Sequence, residues 1–197
     1  MGATIVLFTI ALIVLLGAAL AYAGRDNPST INTQSARIYA AVLLKQSADY
    51  RDAYSRFIFD GGDGSTMKFD QTATVGLFNT TAQYGTLQLP PPQSGVRGGT
   101  APVWAYNDKV LVSGVGTPAG TESVAYVIGV NQAVCSEVNN QMYGAPTIDS
   151  LSSLTPTDIA TSPATFALTP AGRSVGCFSI GSAPAVSYVF YTTLGES

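Results

Sequence analysis

The stretch Ile31–Gly62, INTQSARIYAAVLLKQSADYRDAYSRFIFDGG, decides how the rest of the chain is read. Ala36, Tyr39, Leu43, Gln46, Tyr50, Ala53 and Phe57 recur at three- and four-residue steps, the spacing that aligns side chains on one face of an α-helix. Val42 and Tyr54 thicken that face. Lys45, Asp49, Arg51 and Asp52 fall mostly off it, and Ile38 and Leu44 interrupt its regularity. The pattern predicts an amphipathic helix that lays one side on a globular body. Upstream, Asn27-Pro28-Ser29-Thr30 combines a Pro joint with the residue types that open helices. Downstream, Asp60-Gly61-Gly62 is a natural stop.

Ahead of this helix, no charged side chain occurs from Ala3 to Ala23. At 1.5 Å per residue that run reaches about 30 Å, the thickness of a bilayer's hydrocarbon core. It is long enough for a membrane anchor. Ala21-Tyr22-Ala23 before Gly24 also has the small-x-small form of a secretory cleavage site, which keeps a removable signal open. Met-Gly-Ala-Thr supplies no basic n-region, and the apolar run exceeds the roughly 7–15 residues of a typical signal core, so the anchor is preferred. Arg25 beside Asp26 encodes little orientation. The cysteine pair and the scarcity of Lys favour a body outside the cytoplasm.

Over the 197 residues, charged residues make up 11% and hydrophobic ones 46%. The charged share is well below the ~25% of ordinary globular domains. Ser, Thr, Asn, Gln and Gly must then cover much of the surface, as suits an exported protein or an assembly subunit. A net charge of −3 with scattered Lys and Arg leaves no basic stripe for nucleic acid. Histidine is absent, which removes Ser-His-Asp and Cys-His catalysis and imidazole zinc sites. The expectation is therefore a protein that is not an enzyme and carries no cofactor. Cys135 and Cys177, far apart in a chain with an export-type start, are expected to form one disulfide, the alternative being two buried thiols.

After Gly62 the composition turns to Gly, Thr, Pro and Gln. Three strand-like runs follow, Val103–Tyr106, Lys109–Val115 and Ser123–Val130. In NQAVCSEVNNQMYG, Val134, Val138 and Met142 share a helical face with Cys135, and Gly144 ends it. A loop-rich stretch leads to AVSYVFYTTL, a closing strand. The predicted architecture is α+β. A long N-terminal helix, apolar then amphipathic, packs on a C-terminal antiparallel β-sheet head with one short late helix. The division is 1–59 for the helical part and 60–197 for the head. Asp60, Asp63 and Asp70 lie in a Gly-rich loop but lack the ligand alternation of a calcium site, so a turn is expected. GTPAG and GSTM lack the Lys-Ser/Thr of a phosphate loop. Most aromatic residues read as core. Trp104, close to Asn107-Asp108-Lys109, is the candidate for a surface contact.

The run ATIVLFTIALIVLLGAALAYA, the Pro28 joint, the stretch QSARIYAAVLLKQSADYRDAYSRFIF, and NQAVCSEVNNQMYG with GCFSIG together resemble the type IV pilin and pseudopilin superfamily. The resemblance implies a membrane protein of the inner membrane that becomes a structural subunit of an extracellular fimbrium used in cell adhesion. It implies a helical homopolymer built by pilus assembly machinery. Its assembly helix would use Ala3, Leu7, Leu12, Leu16, Gly17 and Ala21, the small residues letting neighbouring helices approach closely. Gly2 and Ala23 are the processing candidates. Leu7 stands where the family has its early glutamate if Ala3 is the first mature residue, and no basic leader precedes Gly2. The alternative is a membrane-anchored, periplasmic or secreted envelope domain that binds a ligand and does not polymerise.

Overall fold

The structure, a computed structural model, describes residues 32–71, 76–78, 84–96, 98–117, 120–161 and 163–196. The expected apolar segment Ala3–Ala23, with its assembly-helix and processing residues, lies outside them. Among the described residues no helix is long and apolar enough to cross a membrane.

Helix α1 (Thr33–Phe59) forms where the periodicity predicts it. Asn32 caps its start, the side chain accepting from the Ser35 amide at 2.8 Å, which satisfies one of the amides a helix leaves open. Its buried face is Ala36, Ala40, Leu43, Gln46, Ser47, Tyr50, Ala53, Tyr54 and Phe57. Ala40 and Ser47 complete the stripe that the sequence marks with larger residues. Six strands follow: β1 (Trp104–Val112), β2 (Glu122–Val130), β3 (Asp149–Leu151), β4 (Ala164–Phe166), β5 (Val175–Ile180) and β6 (Ser187–Glu196). Helix α2 (Gln132–Tyr143) lies between β2 and β3, and helix α3 (Pro156–Thr161) between β3 and β4. The strand order is β3-β5-β6-β2-β1-β4. The last strand is thus central, antiparallel to both β5 and β2.

The expected head is corrected here. The sheet is mixed, not antiparallel, because β4 pairs parallel with β1 and β3 pairs parallel with β5. There are two late helices, not one, and no apolar helix stands among the described residues. The sheet is also nearly closed and barrel-like. Phe166 of edge strand β4 reaches Phe178 of β5 with ring centroids 4.7 Å apart, and it lies edge-on to Tyr191 of β6. This curling gives two cores. An inner one holds Val110, Val112, Val124, Phe166, Phe178, Val189 and Tyr191. An outer one joins Ala125, Val127, Cys177 and Phe190 to the buried faces of α1 and α2. Strands buried on both sides lose the polar alternation of a half-exposed sheet, which explains the uniformly buried VGCFSI of β5.

Three register shifts interrupt the central strands, one of them between Ser123 and Val124 of β2 against β6. The β1–β2 register shifts between Asn107 and Val110, so the first two strand-like runs of the sequence fuse into one bent strand. The β2–β6 register shifts between Ile128 and Val130. Gly129 sits there with φ 82°, a left-handed conformation that glycine adopts without strain, and Val130 returns to the outer core.

Candidate functional site

Two features of the head bear on function: the set of bonds that fastens α1 and α2 to the sheet, and an apolar groove left uncovered.

Along α1, three polar contacts reinforce the apolar stripe. Gln46 donates to the Leu89 carbonyl at 3.0 Å and accepts from the Trp104 indole N–H at 3.0 Å. Tyr50 donates to the Gln88 carbonyl and accepts from the Gln88 amide, each at 2.8 Å. Tyr54 donates to Ser123 Oγ at 3.0 Å, and Tyr106 lies 2.8 Å from the same oxygen while donating to the Gly64 carbonyl. Burial pushes the Tyr50 hydroxyl up to about 12 and raises those of Tyr54 and Tyr106. These phenols are neutral structural donors at physiological pH. Trp104, expected at the surface, is instead 8% exposed and packs edge-on against Tyr50 and Phe190. Of the neighbouring polar run only Lys109 is exposed: Asn107 is itself buried and donates to the Ile159 carbonyl at 2.6 Å, so the proximity of polar residues did not mark a surface position for Trp104.

Cys135 and Cys177 form the expected disulfide, joining α2 to β5. Asn139, one turn after Cys135, doubles the join. Its amide donates to the Cys177 carbonyl at 2.9 Å and the Thr147 carbonyl at 2.7 Å, and its oxygen accepts from the Cys177 amide at 2.9 Å. Nothing in the sequence separates Asn139 from Asn140 except its place on the Cys135 face. Below this join, Arg173 pairs with Asp149 at 3.3 Å and lies 4.5 Å over the Tyr143 ring. Tyr143 donates to the Val175 carbonyl. Glu137 pairs with Arg37 at 3.3 Å, linking α2 to α1.

The acidic loop behaves as a turn. Asp63 accepts from the amide and the hydroxyl of Ser65 at 2.9 and 2.8 Å, and these bonds hold its carboxyl below the ordinary range. Among the described residues no group of three His, Cys, Asp or Glu is placed to hold a metal ion. Ser123 is occupied by the two tyrosines, and Lys45 by Asp49 at 2.7 Å.

The groove lies at one end of the curled sheet, where β1 begins, β2 ends and β6 begins. It measures about 500 Å³ and is lined chiefly by Val96, Val103, Ala105, Tyr126, Ile128 and Val186. Val103 is 58% exposed, and Val96 and Val186 are also open to solvent. Ala105 and Ile128 continue inward to the inner core. The sequence gives no sign of it, since its walls come from three segments far apart in the chain, 96–105, 126–129 and 186–187. No family model matches the chain, and no curated protein and no solved structure matches it.

Proposed function

We propose that the chain is a structural, non-enzymatic subunit of an extracellular filament of the type IV pilus kind, polymerising through Ala3–Ala23. Before assembly that segment would hold it in the inner membrane, and pilus assembly machinery would be its partner. The observation that supports this reading is the fastening of α1. The element that follows the uncharged stretch buries its face from Ala36 to Phe57 against α2 and the outer face of the sheet, with Gln46 bonded to Trp104 of β1, Tyr54 to Ser123 of β2, and Gln46 and Tyr50 to the 88–89 segment. A subunit held in a polymer by one end needs such a connection, so that load on the N-terminal segment passes into the head. The Cys135–Cys177 bond supports an oxidising destination.

The second reading is a membrane-anchored or secreted envelope domain that binds a ligand without polymerising. The apolar groove favours it, because concave apolar surfaces with a few polar groups are where ligands bind. Intact-mass and N-terminal analysis of native protein, with electron microscopy of shed material, separates the two. Chains that retain Ala3–Ala23 and are recovered in fibres support the filament. Chains that begin at Gly24 and sediment as single copies refute it.

A further inference from the structure

Helix α1 runs along the strands and points its N-terminus toward the groove end of the sheet. Two bonds fix this direction. Tyr54 meets Ser123 near the start of β2, and Gln46 meets Trp104, whose partner across β2 is Val127. From Tyr54 back to Gln46 the helix rises about 12 Å, and from Ser123 to Val127 the strand advances about 13 Å. The helix is therefore antiparallel to β2, and β2 ends at the groove. From Gln46 its axis continues about 20 Å to Thr33, with Arg37 paired to Glu137 of α2 on the way. Nine residues, 24–32, separate Thr33 from the uncharged stretch Ala3–Ala23. Fully extended they span about 30 Å. A bilayer that holds Ala3–Ala23 thus has the groove end of the head turned toward it and within reach.

The two ends of the head differ in chemistry as this placement requires. Val96, Val103 and Val186 stand open around the concave apolar surface. Leu89, whose carbonyl accepts from Gln46, is 72% exposed at the same end. The described segments there, 84–96, 98–106, 126–136 and 181–191, contain no Asp, Glu, Lys or Arg. Arg97, outside the described residues, is the one charge in the sequence from 84 to 106. At the other end stand Asp60 and Asp63 after α1, and Asp108 and Lys109 in β1.

We propose that the groove end of the head docks on the surface of the bilayer that anchors the chain, with Leu89, Val96, Val103 and Val186 in the interfacial layer and lipid acyl chains entering the groove. Interfacial binding grows with the apolar area buried, and a charge on that surface opposes it. The patch need not bind membranes by itself, because the anchor keeps it beside the lipid at high effective concentration. Ile58 and Phe59, also exposed, lie at the far end of α1 and take no part. The contact rests on the membrane-held state that precedes assembly in the filament reading.

The test uses the full chain in phosphatidylcholine vesicles containing a lipid with a photoactivatable acyl chain, and adducts are mapped by mass spectrometry. Adducts are expected in Ala3–Ala23 and in the head at 96–103 and 186–187, but not at 58–70. Val103→Asp and Val186→Asp each lower the head adducts roughly tenfold and leave those in Ala3–Ala23 unchanged. Phe59→Ser changes neither. Thermal midpoints of all three stay at the wild-type value because the side chains are exposed. Adducts confined to Ala3–Ala23 overturn the contact and leave the anchor intact. Head adducts spread equally over 58–70 and 96–103 overturn the orientation and the contact with it. Chains that do not stay with the vesicles refute the membrane-held state, and the contact falls with it.

Discussion

Breaking the Cys135–Cys177 bond should cost the head a large part of its stability. The bond closes a loop with a sequence separation of 42. In the chain-entropy description, a loop of that length removes about 13 cal/mol/K from the unfolded ensemble, equivalent to about 4 kcal/mol at 25 °C. Typical domains have only ~5–15 kcal/mol in total. Reduction deletes no atoms, so the oxidised and reduced proteins differ by this constraint and not by a cavity. Both cysteines are buried, and reductant reaches them only when the head opens; reduction is therefore carried out in denaturant before refolding. Urea unfolding of the full chain in mild detergent, followed by far-ultraviolet circular dichroism, is the assay. With a slope of roughly 2 kcal/mol per molar, the midpoint falls by about 2 M on reduction.

Asn139 adds a second reading to the same experiment. It holds the Cys177 backbone through two bonds whether or not the sulfurs are joined. Asn139→Ala should therefore cost more in the reduced protein than in the oxidised one, with a coupling of about 0.5–3 kcal/mol. A reduced midpoint within about 0.5 M of the oxidised one would refute the reasoning. It would mean that the α2–β5 join is held by packing alone, or that the unfolded chain is already constrained there.

Trp104 is the only tryptophan, so its emission reports the burial directly: a blue-shifted maximum, poorly quenched by iodide, is expected, and a solvent-like spectrum would restore it to the surface. Trp104→Phe strands the Gln46 oxygen under α1 and should cost about 1–3 kcal/mol in urea unfolding. Gly144 ends α2 with φ 68° and has open space where a side chain would go, so Gly144→Ala costs about 1 kcal/mol through backbone strain alone, and Gly144→Asn markedly less. Alkali should unfold the head through its buried phenols. Burial pushes the folded Tyr50 hydroxyl up to about 12 from the ordinary 10.0. Its contribution is full below about pH 10 and is lost as pH rises through 12. Tyrosinate absorbance and circular dichroism should change together in that window, and in Tyr50→Phe the transition should move to higher pH.

Helices α1 and α2 were legible because each carries a local signature. In α1 the three- and four-residue recurrence of Leu43, Gln46, Tyr50 and Phe57 marks the buried face, and in α2 Val134 and Val138 mark it again before the Gly144 cap. The sheet was legible only where its strands are long. β2 and β6 read as strands, whereas β3 and β4 are three-residue segments in which alternation cannot be recognised. Those two short strands are the ones that pair in parallel, so the information that turns the sheet from antiparallel to mixed sits in its least readable pieces. Helix α3 was hidden for a related reason: in six residues it buries only Ile159. The groove was not legible at all. It is a property of how the ends of β1, β2 and β6 meet, and no single segment carries its pattern.

The corrected sheet changes what the filament reading rests on. In the expected head, the N-terminal helix packs on an antiparallel sheet with one short late helix. In the observed one, α1 lies across β6, the last strand in sequence and a central one in the sheet. The approach is close: a Cβ at Gly195 would come within 2.7 Å of the Tyr54 ring. Helix α1 and the last strand are thus packed on each other, and under the filament reading force entering through α1 would be carried by a strand hydrogen-bonded on both sides. Such a strand yields only when many ladder bonds fail together, whereas an edge strand peels bond by bond. Gly195→Val should therefore loosen α1 from the head, because the added side chain meets the Tyr54 ring and not open space. If the filament reading is right, the same change should yield chains that fold with an intact disulfide yet form filaments that break under shear at lower stress than wild type. Filaments of unchanged strength from a Gly195→Val chain would show that load does not pass from α1 into β6.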